Sequence, residues 1–244
     1  MLLEFSTNQV LRLFLCGALV LSALQSVAAP FEAGLNAMER EHYATAFRAW
    51  KGLADDGESE AQNNIAYLYE QGLGVKQSYT KAIEWYKKAA DQDSAEAMYN
   101  LGMLAFQGYG MRKDFLAAKR YFTQASELKL PNAHYMLGLI YYQGHGMKQN
   151  YPRARTHFID AAKLGSPKGQ FMTALMLQNG EGHPGEKTEP LKAFIWGMVS
   201  KINGYADADS VLAFSQMQLS NSVQAKATEL AQKCLDSGYA NCPA

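Results

Sequence analysis

Apolar residues along this chain recur in a helical register. Ile65, Leu101 and Leu137 share one column. Ala66, Gly102, Gly138 and Ala174 share the next, and Tyr69, Ala105, Tyr141 and Leu177 follow three residues on. The i, i+1, i+4 spacing is one apolar stripe of an α-helix, and its small residue lets a second helix approach closely. That second helix opens near Ser78, Asp114 and Asn150, all good N-cap residues. It carries Tyr79/Phe115/Tyr151, Ala82/Ala118/Ala154, Trp85/Tyr121/His157 and Tyr86/Phe122/Phe158, and Ala89, Ala125 and Ala161 close its inner face. Between the two helices stands a Gly-x-Gly pair, at Gly72/Gly74, Gly108/Gly110, Gly144/Gly146 and Gly180/Gly182. Each step is 36 residues (108 − 72, 144 − 108, 180 − 144). Glycine tolerates the left-handed conformation at a helix C-terminus, so the pairs read as helix ends. They are not nucleotide fingerprints, because they follow helices and not strands.

Self-similarity at this period predicts stacked helix-turn-helix units. The fourth unit keeps the step if three residues are inserted within His183–Lys187, since Ala193 and Trp196 then match Ala82 and Trp85. Upstream, Tyr43, Ala46 and Trp50 lie one step before Tyr79, Ala82 and Tyr86. The expected fold is all-α, a right-handed superhelical solenoid. Its predicted divisions are a signal peptide over 1–28, an N-terminal half-repeat cap over 29–56, repeats over 57–94, 95–130, 131–166 and 167–205, and capping helices over 206–244.

The run Glu60-Ala61-Gln62-x-x-Ile65-Ala66-x-x-Tyr69-x-x-Gly72-x-Gly74-Val75, followed by Tyr79-x-x-Ala82-x-x-Trp85-Tyr86-x-x-Ala89-Ala90, resembles the Sel-1-like repeat, a relative of the tetratricopeptide repeat. The resemblance covers roughly 31–205 and departs at the fourth Gly-x-Gly loop and at Gly197, where an aromatic is usual. It implies a scaffold or adaptor for protein complexes; exported bacterial members often serve envelope assembly, signalling or host contact.

Composition narrows the function. With 23 basic and 23 acidic side chains the formal charge is zero, which argues against a general nucleic-acid binder. Arg12 precedes the apolar run Leu13–Leu21 and the small residues Ser26, Val27 and Ala28. This pattern predicts a cleaved secretory signal, hence a periplasmic or secreted protein without stable membrane insertion; the alternative is inner-membrane anchoring by an uncleaved signal. Leu15 ahead of Cys16 does not fit a lipoprotein site. Removal of the signal leaves Cys234 and Cys242, an even pair that reads as a disulfide in an exported chain, or as two buried thiols if the chain is not exported. Their spacing of eight repeats that of Ala89/Ala97, Ala125/Ala133 and Ala161/Gly169. The shared register predicts a close backbone crossing that pins the last helix to the C-terminal tail. Cysteine-rich relatives in the resembled family use the same spacing in each repeat.

Candidate chemistry is sparse. Ser78-Tyr79-Thr80-Lys81 matches the Ser-x-x-Lys of penicillin-recognising enzymes, and some cysteine-rich relatives have been associated with β-lactam binding or hydrolysis. No Ser-Asp-Asn or Lys-Thr-Gly accompanies it, and Asp114 and Asn150 share its column, so Ser78 reads as an N-cap. Histidines 42, 134, 145, 157 and 183 show no ligand spacing along the sequence. No catalytic residue, metal ligand or cofactor is therefore assigned. A binding surface is the better candidate. In tetratricopeptide-type stacks the first helices line a groove, and the corresponding positions here include Tyr67, Tyr99, Met103, Phe106, Tyr135, Leu139, Tyr142 and Phe171. Aromatic and Met side chains there suit a protein or peptide partner. Packing between units competes with binding for Tyr99, Tyr135 and Phe171. A peptidoglycan or glycan ligand stacking on the same aromatics is the other alternative.

Overall fold

The computed structural model describes residues 30–243, so the predicted signal peptide and Cys16 lie outside the described residues. Within them the chain is helical, with no β-strand. A helix α1 over 30–39 is followed by α2 (Tyr43–Asp55), α3 (Ser59–Gln71), α4 (Tyr79–Ala90), α5 (Ala95–Gln107) and α6 (Phe115–Glu127). Then come α7 (Pro131–Gln143), α8 (Tyr151–Lys163), α9 (Pro167–Asn179), α10 (Pro190–Ile202), α11 (Ala208–Gln218) and α12 (Asn221–Asp236). The helices fall into two compact units, 1–94 and 95–244. None of the described helices is long and apolar enough to cross a membrane.

The boundaries follow from the local chemistry. Ser78, Asp114 and Asn150 cap α4, α6 and α8, their side chains accepting from the backbone N–H groups of Lys81, of Leu116 and Ala117, and of Arg153. Each such cap offsets orphan donors and is worth about 1 kcal/mol. The backbone N–H of each capping residue also donates to a carbonyl on the preceding helix: Ser78 to Tyr69 at 2.9 Å, Asp114 to Ala105 at 2.9 Å and Asn150 to Tyr141 at 2.8 Å. Glu189 to Leu177 at 2.8 Å is the same bond, so the three-residue insertion leaves the hairpin geometry intact.

In the first unit, Trp50 is buried against α1; its Nε1 donates to the Phe31 carbonyl at 3.1 Å. Tyr86 is fully buried and its hydroxyl donates to Glu70 Oε2 at 2.8 Å.

In the second unit the small-residue column works as predicted. A Cβ on Gly102 would lie 2.6 Å from the Phe122 ring, and one on Gly138 would lie 2.5 Å from Phe158. Both phenylalanines are completely buried, each burial contributing about 1.5–3 kcal/mol.

The second glycine of each pair has a further role. Gly182 has φ +75°, and a Cβ there would meet the Tyr151 carbonyl oxygen at 2.6 Å, where α8 begins. Gly146 stands similarly against Phe115 at the start of α6. The pair therefore ends one helix and seats the loop against the start of the preceding second helix.

At the C-terminal end, α11 explains Gly197: Leu212 lies where an aromatic would otherwise project, 3.1 Å from a Cβ built on that glycine. The tail returns to α10, with Trp196 Nε1 donating to the Pro243 carbonyl at 2.8 Å and Asn203 donating to the Tyr239 hydroxyl at 3.0 Å. Cys234 and Cys242 are buried in this corner with Cα atoms 4.7 Å apart, inside the roughly 4.4–6.8 Å that a disulfide requires.

Candidate functional site

Partly buried apolar residues at the margin of the stripe form a strip on the first helices of the second unit. Tyr99, Met103 and Phe106 come from α5, Tyr135, Leu139 and Tyr142 from α7, and Phe171 and Leu175 from α9; all are partly buried. Tyr135 and Leu139 pack both on the core around Phe122 and on the core around Phe158, which joins the three helices' contributions into one surface. Tyr99 packs its ring 5.6 Å from Phe122, Tyr135 lies 5.9 Å from Phe158, and Phe171 lies 5.1 Å from Tyr205. Burial raises the hydroxyl pKa of Tyr99 and Tyr135, so both are neutral donors at physiological pH.

The edge of the strip is more open to chemistry. Phe106 meets Phe115 and His145 edge-on at 5.2 and 5.1 Å, and His145 stacks on Phe115 at 4.8 Å. Tyr142 lies 5.3 Å from Tyr151, and its hydroxyl donates to Glu181 Oε1 at 3.3 Å. Burial, then the Glu181 carboxylate, raises the Tyr142 pKa. Beside it, Glu181 Oε2 and Gln178 Oε1 are buried acceptors without a donor in the structure. Tyr67 belongs to the first unit, where it is 41% exposed on α3.

Ser78 is occupied as a cap, accepting the Lys81 backbone N–H at 3.3 Å, while the Lys81 ammonium lies over the Tyr69 ring at 5.1 Å.

Linear spacing did not reveal a cluster on the second unit's helical hairpin. His134 on α7 places Nδ1 3.4 Å from Nδ1 of His157 on α8, and 3.8 Å from Asp160 Oδ2. His157 also stacks flat on Tyr141, 5.5 Å between centroids. Burial lowers the His134 pKa. Burial, reinforced by His134, brings His157 down to about 4, so both rings are neutral at physiological pH. His157-x-x-Asp160 was a visible i, i+3 pair, but its third member came from another helix. His157 and Tyr141 also line an open cleft of about 1000 Å³ with Asp114, Lys119, Arg120 and Gln124. This cleft lies mainly along α6, with Tyr141 of α7 and His157 of α8 at its side, and includes none of the strip residues.

The Sel1 repeat family model matches residues 59–94, 95–130, 131–166 and 167–196. The chain is similar to the crystal structure of a Sel1 repeat protein from Oxalobacter formigenes, at 28% identity and TM-score 0.66, over 75% of this chain and 74% of that one. It also shares its fold with c5321, a protective antigen present in uropathogenic Escherichia coli strains displaying an SLR fold. There the identity is 24% and the TM-score 0.72, over 89% of this chain but only 47% of that one. A comparison with curated proteins finds no significant match. Four consecutive repeat matches and helical hairpins in the same register give one conclusion: the chain belongs to the Sel1 repeat family.

Proposed function

We propose that this Sel1 repeat protein is an exported, non-enzymatic scaffold that holds a segment of a protein partner along the strip on α5, α7 and α9. Sel1 repeat folds commonly serve as protein-interaction scaffolds. The observation that carries the reading here is the continuity of the strip: Tyr135 and Leu139 bridge two cores and link Tyr99, Met103 and Phe106 to Tyr142 and Phe171. Their inner faces pack, while their partial exposure leaves surface for a ligand. Aromatic anchors of this kind dominate binding energies at interfaces. Export rests on the leader pattern of 1–28 and on the cysteine pair, which an oxidising compartment would bridge.

The test is capture and then measurement. A photo-crosslinking residue at Leu139 in envelope extracts should trap a partner; its affinity for the purified chain is then compared with Phe106→Ala and Tyr142→Ala. Loss of an anchor should weaken binding about 10- to 100-fold, the span of an interface hot spot. The exposed Tyr109→Ala serves as control. Unchanged affinity in both strip variants, with native circular dichroism, would sink the assignment. Binding to purified cell wall in place of a protein would replace it with the glycan reading.

A further inference from the structure

We propose that His134, His157 and Asp160 form a binding site for a divalent transition metal of the zinc type, with solvent completing a four-coordinate shell. The three side chains come from both arms of the α7–α8 hairpin. Their donor atoms, two imidazole nitrogens and one carboxylate oxygen, all lie within 4.8 Å of one another. Ligands about 2.0–2.1 Å from a tetrahedral zinc ion stand ~3.3–3.4 Å apart along each edge of the tetrahedron. The two Nδ1 atoms, at 3.4 Å, already hold that edge. Asp160 is 3.8 Å from His134, and its side chain is 44% exposed, so a small rotation of the carboxylate closes the third position.

The chemistry of the set selects the ion. Two imidazoles with one carboxylate suit zinc, copper or nickel, whereas magnesium and calcium favour all-oxygen shells. Three protein ligands plus one solvent position is the arrangement of an open zinc site. Binding transfers no electrons: each Nδ1 offers its lone pair, and a neutral imidazole carrying its proton on Nδ1 shifts to the Nε2–H tautomer.

The repeat itself supplies the support around the site. Gln62, Met98, His134 and Gln170 share one column of the 36-residue register. Gln62 donates to the carbonyl of Ala54 at 3.1 Å and Gln170 to that of Ala162 at 3.3 Å, each eight residues back. His134 takes the same position in its repeat, and its Nδ1 faces His157 at 3.4 Å. On the other arm, Tyr141 holds the His157 ring by parallel stacking. Lys119 and Arg153, which sit over the Tyr141 ring, add positive charge near the site, and Asp160 offsets it. Because His157 also lines the cleft along α6, the solvent position lies within reach of molecules that enter there.

The experiment uses the untagged protein, dialysed with ZnCl2 and assayed for bound metal by mass spectrometry, with titration calorimetry for affinity. One equivalent of zinc should bind, Mg2+ should not displace it, and cobalt substitution should give the intense visible bands of a tetrahedral site. His134→Gln, His157→Gln and Asp160→Asn should each lower affinity at least 10-fold, while the exposed His42→Gln should leave it unchanged. Asp160→Asn alters a half-exposed group and keeps the test valid if a histidine variant fails to fold. No bound equivalent in the parent protein, or affinity retained in Asp160→Asn together with the folded histidine variants, overturns the site.

Discussion

Alanine at Gly182 tests why the second glycine of each pair is present. Gly182 and Gly185 lie in one loop with nearly the same backbone, φ +75° and +77°. Their surroundings differ. A Cβ at Gly182 would stand 2.6 Å from the Tyr151 carbonyl oxygen and 2.8 Å from its carbon, whereas one at Gly185 would meet nothing within 4 Å. Gly185→Ala should therefore cost only the left-handed backbone term, about 1 kcal/mol. Gly182→Ala bears the same term and must also push the start of α8 away. Overpacking against main chain adds about 1–3 kcal/mol, for a total near 3. In a unit of this size 1 kcal/mol lowers Tm by about 2–4 °C, so the expected losses are roughly 2–4 °C for Gly185→Ala and 6–12 °C for Gly182→Ala. Urea denaturation followed by far-ultraviolet circular dichroism gives the free energies, and a thermal scan gives the midpoints. Equal destabilisation of the two variants, within about 0.5 kcal/mol, would refute the close approach as the reason for the second glycine.

Further outcomes follow from other sites. Glu189→Gln should destabilise the protein by about 1.5–3 kcal/mol at pH 7, because Glu189 accepts charged hydrogen bonds from Arg155 at 2.5 Å and Lys192 at 2.6 Å. Burial alone would raise the Glu189 pKa, but those two bonds win and lower it below 4.5; the stabilisation is present above pH 4.5 and disappears as pH falls through the folded value, so the gap between parent and variant should close in acid unfolding curves. Ser78→Ala should lose about 1 kcal/mol, the worth of an N-cap, and the parent protein should show no covalent penicillin adduct by mass spectrometry. If Cys234 and Cys242 are bridged in the mature protein, its mass should fall two hydrogens below the reduced value, and reduction should lower stability by roughly 2–3 kcal/mol for so short a loop; two free thiols in protein purified from the envelope would contradict the bridge.

Much of the fold was legible because a helical array is specified by local contacts repeated at a fixed interval. The small column at Gly102 and Gly138, the caps at Ser78, Asp114 and Asn150, and the inserted fourth loop all report on neighbours within one repeat step. Periodicity alone placed each of them. The 206–244 segment holds α11 and α12, although the 36-residue pattern does not extend into it. The predicted strip was legible as a set of columns, but its division between packing and exposure was not. Tyr99 and Tyr135 turn their rings onto Phe122 and Phe158, and only side-chain placement shows that.

Sequence by itself therefore determined the period, the helix pairs, their ends and the crossing that brings Cys234 near Cys242. Tertiary structure decided what the shared register leaves open. It seated Gly182 against the start of α8, filled the space beside Gly197 with Leu212, and turned two unrelated columns, those of His134 and His157, toward one point beside Asp160. The physical reason is the same in each case. A periodic pattern specifies which face of a helix is buried, whereas the meeting of particular atoms depends on how two helices cross, and that is set by packing across the whole hairpin.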